Sequence, residues 1–453
     1  MSLSREVYDA SRDLIAGRLG LAFADNRRPE LERGLTRACR SSKAATPEAY
    51  LIWLATVPDD DPHWTQLAAH LTIGETYFFR DHAALAALET QILPSLIAAR
   101  RAAGLRRLRL WSAGCATGEE PYSLAIMVDR LLADAADWSV TILGTDINAE
   151  ALATARQARY RVWSFRHTPE SVRDRYFEPV GELFELDPRI RRAVTFAPLN
   201  LAQDGYPSVM TNTTAMDVIL CRNVLMYFTP QAQRAAVARL ERSLVDGGWL
   251  GVSAAEGSVD LLRPLAAVSF PDAILYRKDA VGVPSIASPS PLVMAPIEAP
   301  VLSAVSASVP LAEWSKPVDT RAPRAPALGQ ARALADQGWL DEARALCEAA
   351  LAKDPLDLEA HLLLAAVCQE QGAIRAALEA LRRAIYLAPD NAAAHFLLGS
   401  LLLTQGDRER ARRSMDTVVR LLAAVAADEV VAGSDGLTAG WLVATARAYL
   451  EPA

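Results

Sequence analysis

The chain has 453 residues, 51% of them hydrophobic, and a formal net charge of −7 with a pI near 5.6. That length implies two or three domains with ample core-forming residues, and the acidic balance argues against a dedicated nucleic-acid binder, which needs a basic field to attract phosphates. There is no run of about 18 apolar residues to insert in a membrane, and the charged start Met1–Leu14 lacks the apolar stretch of a signal peptide. Cys39, Cys115, Cys221, Cys347 and Cys368 are scattered, odd in number and without a CxxC pair, which suits a reducing, cytoplasmic compartment and no zinc site.

Residues 1–88 read as mostly helix. The apolar spacing over Val7–Leu19 predicts a helix broken by Gly17 and Gly20. Asp25 or Asn26 can cap the next helix, with Pro29 in its first turn. That helix carries Arg33, Arg37 and Arg40 at i, i+4 and i+7, on one face, flanked by Arg27, Arg28 and Lys43. Solvation is the ordinary fate of such a face. Docking of an acidic partner is the sharper alternative, because a basic concentration stands out in an acidic chain. In Leu67–Arg80, Thr72, Gly74 and Thr76 predict a bend before Tyr77, Phe78 and Phe79. Three consecutive aromatics cannot share a helix face, and packing accounts for them. Arg80 beside them is expected to be paired or presented to a ligand.

Leu108–Ser112 predicts a strand, Gly114 and Gly118 a turn, and Glu119-Glu120-Pro121 the start of a helix through Leu124–Val128. Strand, glycine turn and helix let a backbone approach a ligand closely. Cys115 in that turn is a conceivable nucleophile, but no histidine lies near it in sequence. Strands follow at Val140–Gly144, Met216–Cys221, Trp249–Ser253 and Ala273–Arg277, with an amphipathic helix at Gln231–Leu244. The fold class is therefore α/β: a mainly parallel sheet covered by helices on both faces, over residues 89–280. Ligands bind at the carboxyl ends of such strands, where Gly114, Asp146, Arg222 and Asn223 fall. An acid at the end of the second strand accepts hydrogen bonds from ribose hydroxyls, as NAD or S-adenosylmethionine would require. GCATG is not GxGxxG, and the acids after it repel a pyrophosphate, which wants bare helix N–H groups and a cation. A sulfonium ligand without phosphates fits better, and with it methyl transfer. Between Arg161 and Leu199 short alternating runs, with Phe184, Leu186, Ile190, Val194 and Phe196 around Asp187-Pro188, predict a small antiparallel insert.

Residues 281–326 hold nine prolines among Ala, Ser and Val and read as an extended linker, a leash that leaves the tail no need to touch the active site. Beyond it Gln337-Gly338, Gln371-Gly372 and Gln405-Gly406 recur every 34 residues, with Ala343, Ala377 and Ala411. That period marks tetratricopeptide helix pairs over about 327–423, with Leu437–Leu450 as a capping helix in a 327–453 unit. His361 and His395, at equivalent positions, read as scaffold and not as metal ligands. Stacks of this kind offer a concave surface for an unknown protein or peptide.

LTIGETYFFRD, WSAGCATGEEPYSLA, GTDIN, PLNL and CRNVLMYF occur in this order. Together they resemble the CheR family, chemotaxis-receptor glutamate O-methyltransferases, over about residues 1–280, and the tail resembles the subset of that family with tetratricopeptide repeats. The resemblance implies a helical N-terminal receptor-docking domain (1–88) and a Rossmann-like S-adenosylmethionine domain with the β insert at about 161–199. It implies S-adenosylhomocysteine as product, no metal, and the cytoplasmic helices of methyl-accepting chemoreceptors as partners, for which the basic face of Arg33, Arg37 and Arg40 is the expected docking surface. By position it places Thr76 and Arg80 in a segment folded over the cofactor, Gly114 against it through backbone, Glu120 at its methionine portion and Asp146 at its ribose. Asn200, Leu201, Arg222 and Asn223 would flank its adenine and methionine ends, and Arg80 and Tyr227 would line the reacting centre. Gly74 stands where many members have Asn, removing one side-chain contact. The turn Val180-Gly181-Glu182 is shorter and less glycine-rich than in members that grip a receptor's C-terminal pentapeptide. The chemistry agrees: glutamate, with a pKa of about 4.3, is already ionised at neutral pH and needs no general base. The Asn/Asp-Pro-Pro-aromatic signature of amine methylation is replaced here by Cys221-Arg222-Asn223-Val224. The competing readings are a non-catalytic cofactor-binding scaffold and a methyltransferase for a small molecule or nucleic acid.

Overall fold

The computed structural model describes residues 3–279 and 325–450, apart from Lys43, Asp59, Asp60, Ile73, Val259, Pro264 and Gln337. All but the end of the stretch expected as a linker, 281–326, lies outside the described residues.

Helix α1 (Arg5–Leu19) is capped by the Ser4 hydroxyl, which accepts the Val7 N–H, and closes at Gly20, whose φ of +72° lets its own N–H reach the Ala16 carbonyl. Gly20 alone ends it; Gly17, with open space around it, stays inside. Helices α2 (Arg28–Ser42), α3 (Pro47–Leu54) and α4 (Pro62–Leu71) follow, the last two opened by proline after the side-chain caps Thr46 and Asp61. α2 lies so close to the end of α4 that a Cβ on Gly34 would meet Leu71 at 2.5 Å. α5 (His82–Ala87), a π turn and α6 (Leu93–Ala102) form one helical stretch, apolar and long enough to cross a bilayer by composition. Its Leu85, Leu88, Ile92 and Ile97 are instead buried in the protein's own core.

The α/β region runs β1 (Arg107–Ala113), α7 (Glu119–Leu131), β2 (Ser139–Asp146), α8 (Ala149–Gln157), β3 (Arg159–Tyr160), α9 (Glu170–Tyr176), β4 (Phe177–Val180), β5 (Leu183–Leu186), α10 (Pro188–Arg192) and β6 (Val194–Pro198). It continues through β7 (Met216–Leu220), α11 (Pro230–Ser243), β8 (Leu244–Gly251), β9 (Ala266–Phe270) and β10 (Ala273–Arg277). The main sheet has the order β6-β2-β1-β7-β8-β10-β9, parallel up to β8, with β10 antiparallel to β8 and β9. From β1 the chain moves outward to β2 and β6, then returns to β7 on the other side of β1. The strand order therefore reverses between β1 and β7, which opens a crevice at their carboxyl ends.

Two readings of the insert change. Val194 and Phe196 belong to β6, paired in parallel with β2, and the small antiparallel sheet is β3-β5-β4. Alternation alone cannot distinguish a short edge strand from a hairpin arm. β9 escaped the sequence because it is a five-residue edge strand whose half-buried Ala266, Val268 and Phe270 alternate with exposed Ala267 and Ser269, so little of it is apolar enough to stand out.

Side chains of β1 alternate between two cores: Leu108 and Leu110 face α5, α6 and α7, while Trp111 and Ala113 face α11 and the N-terminal helices. The helices before residue 72 thus share one apolar cluster with the sheet.

Three helix pairs form the tail: α12 (Ala325–Asp336) with α13 (Leu340–Lys353), α14 (Leu358–Glu370) with α15 (Ile374–Leu387), and α16 (Ala392–Thr404) with α17 (Arg408–Leu421). α18 (Ala439–Leu450) packs on the end. Gly338, Gly372 and Gly406 turn the chain within each pair at φ of +83°, +73° and +76°. His361 and His395 each bond through Nε2 to a proline carbonyl, of Pro355 at 3.0 Å and Pro389 at 2.9 Å, as scaffold positions would.

The repeats are not held off the catalytic region on a leash; they pack against it. Glu370, at the end of α14, accepts the Thr214 hydroxyl at 2.7 Å and faces Arg107 and Arg109 at 3.8 and 3.9 Å, and Met210 joins the apolar cluster of the repeats. These contacts sit at the amino ends of β1 and β7, the opposite edge of the sheet from the crevice. Their cause is electrostatic as well as apolar. Arg109 is 1% exposed and Arg107 has its pKa pushed down to about 10 by burial and by Arg109, so Glu370 adds to Asp217 of β7 a second carboxylate that offsets the two buried charges.

Candidate active site

A cleft, open to solvent and with about 1220 Å³ of empty space within and before it, lies at the carboxyl ends of β1, β2 and β7. Thr76, Arg80, Gly114, Glu120, Asp146, Asn200, Leu201, Arg222, Asn223 and Tyr227 all line it. Residues as far apart as Thr76 and Tyr227 are thereby brought together. Arg33, Arg37 and Arg40 lie elsewhere, exposed on α2.

The glycine turn is the floor. Gly114, at φ +86°, donates its N–H to the Thr145 carbonyl at 2.7 Å, and a Cβ there would strike Val224 at 2.3 Å. Only glycine satisfies both the left-handed backbone and the close approach. Asp146 pins the same turn from β2. Its Oδ2 accepts the Ala116 N–H and its Oδ1 the Asn148 N–H, both at 2.8 Å. Burial pushes its pKa up against the pull of those bonds. Each oxygen retains a lone pair for a further donor. Cys115 is buried and its thiol is pushed well up, chiefly by burial and then by Asp146, so it is no nucleophile.

Behind the turn Glu120 accepts the Ser112 hydroxyl and the Arg222 Nε, each at 2.7 Å. Arg222 donates on to the Arg80 carbonyl at 2.7 Å. α7, β7 and the segment from the N-terminal helices are thus tied through one buried ion pair. Glu119, buried beside it, accepts Thr117 and Ser164, and its pKa is raised by burial.

The 72–81 segment forms one wall. Phe78 anchors it, stacked on Phe165 at 5.1 Å and edge-on to Tyr160 and Phe177, so the aromatic run is packing. Phe79 and Asp81 take positive φ, +56° and +60°, which swings Arg80 to the cleft between them. Arg80 bonds the Glu75 carbonyl and lies 5.7 Å from the Tyr77 ring. Gly74 borders the cleft with little beside it.

Four residues that sequence reasoning did not assign complete the site. Arg27 lines the cleft, stacked 5.2 Å over the Tyr227 ring and paired with Glu30 at 2.9 Å. Thr72 and Asn148 bond to each other across it at 3.4 Å. Glu256, after β8, takes the Asn223 and Val224 N–H groups at 2.7 Å each and so fixes Asn223 at φ +58°. An acid directly after a strand, Ser253 to Glu256, was the available signal. Asn200 accepts the Ala202 N–H and donates to the Arg18 carbonyl, joining the wall to α1.

The crevice position, a glycine turn followed by acids, and a strand-end carboxylate with acceptor capacity define a methyltransferase of the S-adenosylmethionine-binding α/β class. Residues 74–263 match the CheR methyltransferase, SAM binding domain, and residues 367–406 match the TPR repeat family. The chain is 30% identical over 390 residues to a probable biofilm formation methyltransferase WspC of Pseudomonas putida, covering 83% of this chain and 89% of that one. It is 34% identical over 213 residues to chemotaxis protein methyltransferase 1 of Pseudomonas aeruginosa, covering 46% of this chain and 74% of that one. The chain belongs to the CheR methyltransferase family, in a form that carries C-terminal tetratricopeptide repeats, and it is a methyltransferase of chemosensory signalling.

Proposed function

We propose that this protein esterifies glutamate side chains on the helical cytoplasmic domain of a chemoreceptor, working in the cytoplasm. One observation carries the reading: every carboxylate lining the cleft is already engaged. Glu75 is held by Arg166 at 3.0 Å, Glu120 by Ser112 and Arg222, and Asp146 by two backbone N–H groups. No histidine is among the described residues of the cleft. A nucleophile that had to lose a proton would find no ready base, whereas a glutamate carboxylate arrives ionised. The cationic groups Arg27 and Arg80 at the same cleft suit an anionic substrate.

S-adenosylmethionine, when bound, supplies the electrophilic methyl group. Asp146 would hold its ribose hydroxyls, Gly114 would approach it through backbone, Glu120 would contact its methionine portion, and Asn200, Leu201, Arg222 and Asn223 would flank its two ends, with Thr76 and Arg80 closing over it. Arg80 orients the incoming carboxylate, and the Tyr227 hydroxyl donates a hydrogen bond to it. Catalysis is then alignment and exclusion of water. The exposed face of Arg33, Arg37 and Arg40 docks the receptor, since α2 begins beside the cleft residue Arg27. Incubation with methyl-labelled S-adenosylmethionine and receptor cytoplasmic domain tests the reading. Alkali-labile label on receptor glutamates is expected; alkali-stable label would assign another acceptor.

A further inference from the structure

The first helices of the three pairs, α12, α14 and α16, form the inner face of the repeat stack, and that face is crossed by a loop of the same chain. Between α17 and α18, Val430 and Thr438 pair antiparallel and close a loop whose tip is Ala432–Gly436. The tip touches all three inner helices. The Ala432 carbonyl accepts the Asn391 side-chain N–H at the start of α16, at 3.1 Å. Gly433, at φ +79°, lies so close to Leu362 of α14 that a Cβ would meet it at 2.5 Å. Asp435 pairs at 2.8 Å with Arg332 of α12, which also pairs with Glu359 of α14 at 3.3 Å, and Asp435 accepts the Ser208 hydroxyl of the catalytic region at 3.4 Å. Ser434 between them is fully buried. The tip thus uses a main-chain carbonyl, a side-chain-free approach and a carboxylate, each met by a complementary group from a different helix.

We propose that the Val430–Thr438 loop is a built-in ligand of the repeat groove, and that a partner protein binds there by displacing it with an extended, glycine-containing segment that carries one carboxylate, as the loop does with Asp435. Such a partner needs a main-chain carbonyl for Asn391, a glycine or similarly slim residue over Leu362, and a carboxylate for Arg332. A tethered segment competes at high effective concentration, so the closed groove discriminates against weak ligands. Because Asp435 also reaches Ser208, opening the groove would loosen the repeats from the amino edge of the sheet and leave the cleft at the opposite edge untouched.

The test uses the full-length chain and a fluorescein-labelled peptide with the sequence of residues 430–438, followed by anisotropy. In Asp435→Lys the tethered loop loses the carboxylate that Arg332 holds, and the peptide should bind at least about tenfold more tightly than to the unaltered protein, as removal of a closed-state competitor requires. Arg332→Asp should abolish that gain, and the swap Arg332→Asp with Asp435→Lys should close the groove again. Hydrogen exchange should be slow at 432–436 in the unaltered protein and fast in Asp435→Lys, with α15 protected equally in both. Asp435→Asn, which keeps the loop's shape, gives a smaller gain of the same sign if the lysine variant does not fold. Equal peptide affinity in the unaltered protein and in the Asp435 variants, or rapid exchange at 432–436 in the unaltered protein, would overturn the proposal.

Discussion

Glu120 and Arg222 meet at 2.7 Å across the crevice, each buried, one from the first turn of α7 and the other from the end of β7. Removing one partner strands the other's charge away from water. Glu120→Gln should therefore lose about 3 kcal/mol of stability, the lower end for a broken buried pair. Replacing both, with Glu120→Leu and Arg222→Met, should melt above the single Glu120→Gln. Scanning calorimetry checks the order, and an unchanged midpoint in Glu120→Gln would show that the pair contributes nothing.

Asp146 pins the glycine turn and is proposed to hold ribose as well. Asp146→Ala should weaken S-adenosylmethionine binding by roughly ten- to a hundredfold, the worth of charge-assisted hydrogen bonds. Asp146→Asn should do nearly as badly, because its amide turns a donor toward either Ala116 or Asn148. Titration calorimetry giving the unaltered dissociation constant in a folded variant would remove the ribose assignment.

The Tyr227 ring carries Arg27 whether or not it has a hydroxyl. Tyr227→Phe should then keep fold and cofactor affinity while kcat falls about tenfold, as expected for loss of a hydrogen bond to a charged group. Normal turnover would shift the role to Arg80 or Arg27.

Arg33, Arg37 and Arg40 are exposed, while α2 buries Leu31, Leu35 and Ala38 on its other side. Reversing all three charges should raise KM for the receptor and blunt its dependence on salt, with kcat and cofactor affinity unchanged. Each exposed pair is worth only about 0.2–1 kcal/mol, so single reversals should be near silent. Activity of the unaltered enzyme that ignores ionic strength would contradict docking through this face.

Asp336 sits where the repeats meet the catalytic region. Burial first, then Asp435 and Glu370, push its pKa up to about 6 against the opposing pull of Arg332. The folded state thus holds the proton more tightly than the unfolded chain. This group's contribution to stability rises as pH falls from about 6 toward the ordinary 3.8, and is flat outside that window. Asp336→Asn should remove that increment and raise stability at neutral pH. Parallel stability–pH curves for the variant and the unaltered protein would refute the assignment.

Local pattern carried the glycine turn, the strand-end carboxylate and the repeat period, because each depends on residues adjacent in sequence. What escaped depends on partners far away in the chain. Arg109 is a buried cation in the middle of β1, and nothing local shows that it lies between Asp217, whose carboxylate accepts its N–H, and Glu370 of the repeats. Arg27 read as a flank of the docking helix because nothing local reveals that Tyr227 lies beneath it. Val194 and Phe196 alternate as a hairpin would, and only pairing with β2 makes them part of the main sheet.

The repeats sit at the amino ends of the strands that carry the cleft at their carboxyl ends. β1 has seven residues, so the two edges are about 20 Å apart along the strands. An enzyme arranged in this way can be held at one pole and work from the other. Whatever the repeats hold is therefore kept clear of the cleft, and the depth of the sheet sets how far a bound partner stands from the residues that take the substrate.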